Sequence, residues 1–279
     1  MSIKKTFKSN RVIEGAGVHL KRAFGYNDLP LFDPFLMLDD FRNDEREKYI
    51  KGFPWHPHRG IETITYMLYG EVEHADSLGN KGVIGTGDVQ WMTAGSGIVH
   101  HEMPIGSADG RMYGFQLWAN LPKSHKMMKP RYQDVKSNEI PEVTTESGAR
   151  IKIICGKING VEGPVKDIIT QPEYLDVTVP ADASWTHSIP KDHRSFVYVF
   201  EGRGWFDEEK TKEFGNLDLI LFTDGNTLQA TAGKEGVRFL FLSGRPIGEP
   251  IAWGGPIVMN TEDELELAFE EYERGTFIK

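Results

Sequence analysis

The stretch Trp55-His56-Pro57-His58-Arg59 places two histidines two positions apart, on either side of a proline. Proline donates no ladder hydrogen bond, so it fits the start or the edge of a β-strand. Side chains two positions apart in a strand point to the same face, with about 7 Å between their backbone positions. An extended backbone here would therefore let both imidazoles hold one metal ion from the same side.

A second pair of candidate ligands follows the turn-rich run Thr93-Ala94-Gly95-Ser96-Gly97. If a strand begins near Ile98, His100 and Glu102 share one face and His101 points away from it. The two same-face pairs would then bring three imidazoles and one carboxylate together. A donor set of this kind suits one divalent transition metal, which could be Fe, Ni, Cu, Mn, Zn or Co, and geometry and availability decide among them.

We therefore predict a mononuclear metal site made by His56, His58, His100 and Glu102. The structural alternative is four hydrogen-bonded polar residues near a core, but two same-face pairs about 40 residues apart favour the metal site. Glu62 has the same parity as the first histidine pair in a regular strand. Alternation alone therefore does not choose between Glu62 and Glu102 as the carboxylate ligand.

The remaining histidines of the later chain have no same-face partner in the sequence. We expect them to lie on the surface; they are His74, His125, His187 and His193.

Composition restricts the class of protein. The chain has 279 residues, a net charge of −9, 39% hydrophobic and 26% charged residues, which is ordinary for a globular protein. The acidic balance argues against direct nucleic-acid binding. A single cysteine, Cys155, excludes a disulfide framework and suggests a reducing, intracellular setting. We see neither a signal peptide nor a membrane span, and we expect a cytoplasmic protein.

Short strand candidates separated by turns run through most of the chain and favour an all-β fold. The segment Ile61 to Tyr69 is rich in β-branched and aromatic residues, and Leu78 to Gly82 has the composition of a hairpin turn. Two parts of the chain resemble each other, since Thr65 to Gly70 matches Val197 to Gly202 and Thr93-Ala94-Gly95 matches Thr231-Ala232-Gly233. Such a repeat predicts two similar antiparallel β-barrels packed together.

We expect an N-terminal metal-binding domain over residues 1–125, a linker over 126–149 and a C-terminal domain over 150–279. The C-terminal domain should end in a helix over 262–273, because Thr261-Glu262-Asp263-Glu264 is a capping box before apolar residues at helical spacing.

The C-terminal domain is expected to lack the metal. Aligning Gly202 with Gly70 places Ser188 and Pro190 where the first histidine pair stands. Aligning the two Thr-Ala-Gly runs places Arg238 and Leu240 at the second pair of ligand positions, and a cation at Arg238 would repel a metal ion.

Aromatic residues are concentrated around the predicted ligands, in a set comprising Phe53, Trp55, Trp91, Phe115 and Trp118. They could simply be core residues. The functional alternative is a pocket for an aromatic molecule, which we expect to be lined by Phe53, Trp55, Gln116 and Trp118.

Three motifs give the chain a clear resemblance to the pirin family, a bicupin group within the cupin superfamily. They are Phe53-Pro54-Trp55-His56-Pro57-His58-Arg59-Gly60, Gly95-Ser96-Gly97-Ile98-Val99-His100-His101-Glu102-Met103-Pro104 and Gln116-Leu117-Trp118-Ala119-Asn120-Leu121-Pro122. The resemblance implies two stacked cupin barrels of the jelly-roll type, with iron or a similar metal in the N-terminal one. It also implies Glu102 as the carboxylate ligand, whereas the general cupin pattern uses the Glu62 position and has proline where Thr93 stands.

The resemblance also implies two different functions. Bacterial pirin-like proteins include quercetin 2,3-dioxygenases, which open a flavonol ring with dioxygen and release carbon monoxide, and Glu102 would act there as general base. Mammalian pirin is an iron-binding nuclear cofactor that acts through protein partners, so a non-catalytic redox sensor is the alternative. Another cupin reaction is a third reading. Pirins are usually monomeric, and in a eukaryotic cell the nucleus would be a second location.

Overall fold

The computed structural model describes residues 1–223 and 225–279. The strands are β1 (Ile3–Lys8), β2 (Asn10–Glu14), β3 (Val18–Phe24), β4 (Phe35–Asp40), β5 (Phe53–His58), β6 (Ile61–Tyr69), β7 (Val72–Asp76), β8 (Lys81–Ile84), β9 (Val89–Thr93), β10 (Ile98–Pro104), β11 (Tyr113–Asn120), β12 (Arg131–Val135), β13 (Glu142–Thr144), β14 (Arg150–Cys155), β15 (Lys157–Ile158), β16 (Val161–Glu162), β17 (Glu173–Val179), β18 (Ser184–Ser188), β19 (Arg194–Trp205), β20 (Phe214–Gly215), β21 (Asp218–Phe222), β22 (Thr227–Gly244), β23 (Ala252–Gly254) and β24 (Ile257–Met259). Short 3-10 helices cover Tyr26–Asp28, Arg46–Lys48 and Ser137–Glu139, and α1 covers Glu262–Glu273.

The all-β fold class with a C-terminal helix is confirmed. The helix has the predicted bounds, and its capping box is formed: Thr261 Oγ1 accepts from the Glu264 backbone N–H at 3.2 Å, and the Glu264 carboxylate accepts from the Thr261 backbone N–H at 3.2 Å. No helix in the described part of the chain has the length and apolar character needed to cross a lipid bilayer.

The described residues form two compact units. The first unit contains Arg11–Leu29, Phe35–Ser137 and Ile247–Lys279, and the second contains Met1–Asn10, Pro30–Pro34 and Asn138–Pro246. The predicted domain boundaries stay a prediction, but α1 lies in the first unit, with the histidines. The stretch predicted as a linker also contains two strands, since β12 pairs with β9 and β13 pairs with β14.

The first unit contains two large antiparallel sheets and the small two-stranded sheet β23-β24. A seven-stranded sheet has the order β12-β9-β6-β11-β4-β3-β2, and a four-stranded sheet has the order β5-β10-β7-β8. Strand β10 shows the alternation that a one-sided sheet requires, because Ile98, His100, Glu102 and Pro104 are buried and the residues between them are half-buried. Residues of both sheets line one cavity, so the polar inward residues of β10 face the larger sheet.

The second unit is mainly one open antiparallel sheet with the order β1-β21-β19-β22-β17-β14-β13, with β18 beside β22 and β20 beside β19. A separate two-stranded sheet is formed by β15 and β16. Its inner face is almost wholly apolar, with Ile153, Val177, Val199 and Phe239 fully buried. Burial of this apolar surface is what stabilises the unit.

The two units do contain corresponding strand pairs, but the predicted register between them is wrong. In the first unit, β5 precedes the long strand β6 and pairs with β10, with His56 opposite His100. In the second unit, β18 precedes the long strand β19 and pairs with the start of β22, with Trp185 opposite Ala230.

The corrected register changes which residues occupy the ligand positions of the second unit. His187, opposite Leu228, has the position of His58, which is opposite Ile98. Arg238 instead lies opposite Thr178, further along β22. The glycine alignment fails because the segment before β19 is longer than the segment before β6, which shifts the positions by three.

Candidate metal centre

Three imidazoles meet at the paired ends of β5 and β10. His56 Nε2 lies 3.0 Å from His58 Nε2 and 2.9 Å from His100 Nε2. The ligand atoms of all three histidines lie within 4.8 Å of one another. Because His56 is directly opposite His100 in the ladder, the two strands alone bring the three rings together. His101 points away, and its ring packs against Trp55 at an interplanar angle of 46°, with 4.5 Å between the ring centroids.

Backbone carbonyls fix the orientation of two of these rings. The Nδ1 atom of His56 lies 2.8 Å from the carbonyl oxygen of Pro54, and that of His58 lies 3.0 Å from the carbonyl oxygen of Pro256. A carbonyl oxygen can only accept, so the ring proton of each histidine is on Nδ1. Their Nε2 lone pairs therefore face each other, which is the arrangement of metal-binding histidines with a supporting second contact.

The geometry fits a transition metal ion. An ion about 2.1 Å from two nitrogens at a right angle separates those nitrogens by about 3.0 Å, close to the separations here. Two opposed lone pairs without a proton repel each other, and a cation between them removes that repulsion. Burial holds the pKa of His58 and of His100 well below the ordinary value, so both rings are neutral and free to bind. These histidines are the residues that would hold the ion.

Glu102 lies beside the histidines but outside their cluster, because its carboxylate is hydrogen-bonded to the opposite sheet. Gln116 Nε2 donates to both carboxylate oxygens, at 3.1 and 3.2 Å. Thr65 Oγ1 is 3.4 Å from Glu102 Oε1. Trp118 Nε1 donates to Gln116 Oε1 at 3.0 Å, which turns the amide nitrogen of Gln116 toward Glu102. The carboxylate is thus held in place in the cavity that His56 and His58 also line.

Glu62, the other candidate, is placed differently. Its buried carboxylate accepts from Thr93 Oγ1 at 2.6 Å, and Glu62 is not among the residues that line the cavity beside the histidines. The parity argument fails because β5 ends at His58 and a turn with Gly60 at φ +78° precedes β6. A turn of that kind restarts the alternation of side chains.

A cavity of about 610 Å³ opens beside the histidines. The four predicted pocket residues Phe53, Trp55, Gln116 and Trp118 all line it, whereas Trp91 and Phe115 are buried core residues. Trp118 stands edge-on to His58, with 5.1 Å between centroids, and contacts Trp253 at 5.9 Å. Trp55 is 55% exposed at the mouth.

Two polar residues of the cavity were not singled out from the sequence. Arg22 donates from Nε and Nη2 to the two carboxylate oxygens of Asp39, both at 2.8 Å. The signal in the sequence was the alternation Val18, Leu20, Arg22, which puts a charge on an apolar face. Burial raises the pKa of Asp39 to about 6 against the opposing effect of Arg22, because the carboxylate is the more deeply buried member of the pair.

The end of the chain holds the histidine strands in place. The buried Arg59, next to His58, donates to the Ser96 carbonyl at 2.7 Å, to the Glu271 carboxylate at 2.7 Å and to the Phe277 carbonyl at 2.8 Å. Its guanidinium also lies over the Phe277 ring, 4.1 Å from the centroid. We call the contacts of residues 256–277 with His58 and Arg59 the C-terminal clamp.

Lys126 makes a second connection of this kind. Its buried Nζ donates to the Gly60 carbonyl at 2.9 Å, to Asn120 Oδ1 at 2.7 Å and to the Val258 carbonyl at 3.0 Å. These three acceptors match the three donors of an ammonium group. The turn after His58 is therefore fixed from two sides.

The expectation of surface histidines is wrong for His74, His187 and His193, which are all buried. His74 Nε2 lies 2.8 Å from Gln90 Nε2. His187 Nε2 lies 3.2 Å from both oxygens of Glu173, and His193 Nδ1 lies 3.1 Å from Ser243 Oγ. These polar contacts compensate part of the cost of burial, although the buried Nδ1 of His74 has no hydrogen-bond partner among the described residues. His125 is half-buried, with Nδ1 2.8 Å from Ser124 Oγ.

A strand pair that carries three converging histidines, within an all-β chain of two antiparallel units, defines the class of metal-binding cupins. The family model described as Pirin matches residues 17–119, and that described as Pirin C-terminal cupin domain matches residues 174–278. The chain belongs to the pirin family.

Relatives cover nearly the whole chain. A pirin-like protein of Caulobacter vibrioides is 42% identical, over 99% of this chain and 98% of its own length. A pirin-like protein of Arabidopsis thaliana is 40% identical, over 97% of this chain and 88% of its own. The crystal structure of a quercetin 2,3-dioxygenase from Acinetobacter baumannii is 32% identical with a TM-score of 0.89, and 99% of this chain and 97% of that chain are covered.

Proposed function

We propose that this chain is a metal-dependent dioxygenase that opens the ring of a flavonol such as quercetin and releases carbon monoxide. The observation that carries the proposal is that three converging imidazoles and a carboxylate lie at an aromatic-walled cavity. A cavity of about 610 Å³ lies in the usual size range of small-molecule sites. The similarity to the quercetin 2,3-dioxygenase structure from Acinetobacter baumannii supports the same substrate class.

The side chains of the cavity have distinct roles in this proposal. A bound metal supplies Lewis acidity and a partner for dioxygen. Glu102, its carboxylate oriented by Gln116, accepts the proton of the flavonol 3-hydroxyl as general base. Trp118 and Trp253 provide flat surfaces against which aromatic rings stack. Glu102 is also the fourth ligand that we propose.

Iron as the metal, a monomeric state and a cytoplasmic location belong to the same proposal. Iron and the monomeric state follow from the resemblance to pirins, and the location follows from the single cysteine. Elemental analysis after anaerobic purification, gel filtration of the loaded protein and fractionation of the host cell test the three statements separately.

The decisive experiment follows quercetin absorbance and carbon monoxide in the same anaerobically purified sample after dioxygen is admitted. We expect about one metal ion per chain and one carbon monoxide per flavonol consumed, both abolished by a chelator. A full complement of metal without turnover contradicts the dioxygenase and favours the redox sensor. Protein partners would then be sought with the metal in each of its two oxidation states.

A further inference from the structure

A row of polar side chains crosses the floor of the cavity. Arg22 on β3 is directly opposite Asp39 on β4, Asp39 is opposite Gln116 on β11, and Gln116 is opposite Thr65 on β6. All four residues line the cavity. Since neighbouring strands lie about 5 Å apart, the row extends polar contacts about 5 to 10 Å away from Gln116. Gln116 is the residue that holds Glu102, so the row begins at the candidate metal centre.

The far end of this row carries a net negative charge. Two of the three nitrogens of Arg22 are hydrogen-bonded to Asp39, and Nη1 lies 3.0 Å from the Glu14 carboxylate. Glu14 also lines the cavity, so two carboxylates face one guanidinium. An anionic group that entered here would meet more negative than positive charge.

The pair nevertheless keeps capacity for one more polar neighbour. A guanidinium has five N–H donors, of which these contacts use three, and each carboxylate oxygen of Asp39 can accept a second hydrogen bond. A neutral hydroxyl both donates and accepts, so it can accept from Arg22 and donate to Asp39. A bare hydrocarbon ring would displace water from the pair and return no hydrogen bond.

We propose that the Arg22–Asp39 pair binds a hydroxyl group on the part of an aromatic substrate that is remote from the oxygen facing Glu102. The substrate class is then a polyhydroxylated aromatic, and neither an unsubstituted ring nor an aromatic carboxylate binds as well. This inference rests on the proposed function, because it uses the same cavity. Arg22 and Asp39 are specificity-determining residues in it and take no part in the proton transfer.

Anaerobic binding to the full chain loaded with Zn(II) tests the pair without oxygen chemistry. The three probes are 3-hydroxyflavone, quercetin and 4′-carboxy-3-hydroxyflavone, followed by quenching of tryptophan fluorescence and by calorimetry. We expect quercetin to bind about 10-fold more tightly than 3-hydroxyflavone, and the carboxylate to bind about 10-fold more weakly than quercetin. In Asp39→Asn the preference for quercetin should fall to about 3-fold or less, and binding of the carboxylate should improve.

The matched control is Asp109→Asn, which changes an exposed carboxylate paired with Arg111 away from the cavity. This variant should bind the three probes with the same affinity ratios as the wild type. Equal affinity of quercetin and 3-hydroxyflavone for the wild type, or an unchanged preference in Asp39→Asn, overturns the inference while the proposed function stands. Failure of all three flavonols to bind the metal-loaded protein overturns both. If Asp39→Asn does not fold, Arg22→Lys gives the same comparison, because lysine keeps the charge and loses the two-pronged contact.

Discussion

The carbonyl oxygen of Pro256 lies 3.0 Å from Nδ1 of His58, across 198 residues of sequence. The contact fixes the proton of His58 on Nδ1 and leaves Nε2 free for a metal. Arg59, the next residue, is bound to Glu271 and Phe277 in the same segment. The orientation of a candidate ligand thus depends on the last part of the chain.

Weakening the C-terminal clamp should therefore weaken metal binding. Glu271→Gln removes the charge that pairs with the buried Arg59, and we expect metal affinity to fall about 10-fold, as for other supporting contacts of metal ligands. Competition with a chromogenic chelator measures this. The control is Glu270→Gln, whose exposed pair with Arg274 is remote from the histidines. An equal loss of metal affinity in both variants would show that the C-terminal clamp does not support the metal site.

Removal of a ligand should abolish metal binding. In His56→Ala one of the three converging nitrogens is lost, and we expect metal content to drop from about one to below about 0.1 per chain, because the histidine cluster is broken and Glu102 is hydrogen-bonded to Gln116. Elemental analysis of the purified variant, beside the control His125→Ala, gives the answer. Full occupancy in His56→Ala would mean that the site is assigned wrongly.

Glu102→Gln separates binding from proton transfer. Glutamine keeps the size of the side chain but cannot accept the hydroxyl proton, so we expect turnover of quercetin to fall about 100-fold or more. Steady-state rates should be normalised to the metal content of each sample. The control is Glu73→Gln, an exposed carboxylate on the neighbouring strand β7. A normal rate per bound metal in Glu102→Gln would remove Glu102 from the mechanism.

The raised pKa of Asp39 predicts a pH-dependent stability. Between pH 4 and pH 6 the folded protein holds a proton on Asp39, whose pKa is about 6, whereas the unfolded chain has released it. The free energy of unfolding should therefore decrease as pH rises through this window, by up to about 3 kcal/mol, and stay level above it. Urea titrations of the wild type minus those of Asp39→Asn isolate this contribution.

The control for this pH series is Asp109→Asn, because Arg111 holds the pKa of the exposed Asp109 carboxyl well below its ordinary value. Its difference from the wild type should stay flat between pH 4 and pH 6. A flat difference for Asp39→Asn as well would show that the Arg22–Asp39 pair stays ionised throughout.

The turn after His58 should tolerate no side chain. A Cβ added at Gly60 would lie 2.0 Å from the Val258 carbonyl oxygen, at φ +78°. Gly110 has a similar φ of +82°, but no described atom lies within 4 Å of an added Cβ. We expect Gly110→Ala to cost about 1 to 2 kcal/mol from backbone strain alone, and Gly60→Ala to cost at least about 3 kcal/mol. Comparable urea midpoints for the two variants would contradict this account.

The sequence was sufficient for features that depend on local alternation. Two histidines two positions apart in a strand must share a face. The position of His100, two residues after the start of its strand, likewise predicted the face on which it lies. The helix from Glu262 was equally accessible, because a capping box is a local signal.

Features that depend on distant partners were not accessible. His187 was expected on the surface, yet it is buried because Glu173, on another strand, accepts its hydrogen bond. The choice between Glu62 and Glu102 as the carboxylate ligand depended on the turn at Gly60, which cannot be detected from the alternation of side chains. Arg22 and Asp39 can be recognised as cavity residues only once β3 is paired with β4 and β4 is paired with β11.

The C-terminal clamp also sets a schedule for biosynthesis. A ribosome that adds about 5 to 20 residues per second translates Pro256 roughly 10 to 40 s after His58. During that interval the imidazole of His58 has no carbonyl to fix its tautomer, and Arg59 has no carboxylate. Tight capture of the ion should therefore come only after Pro256 has been translated and its carbonyl has reached His58.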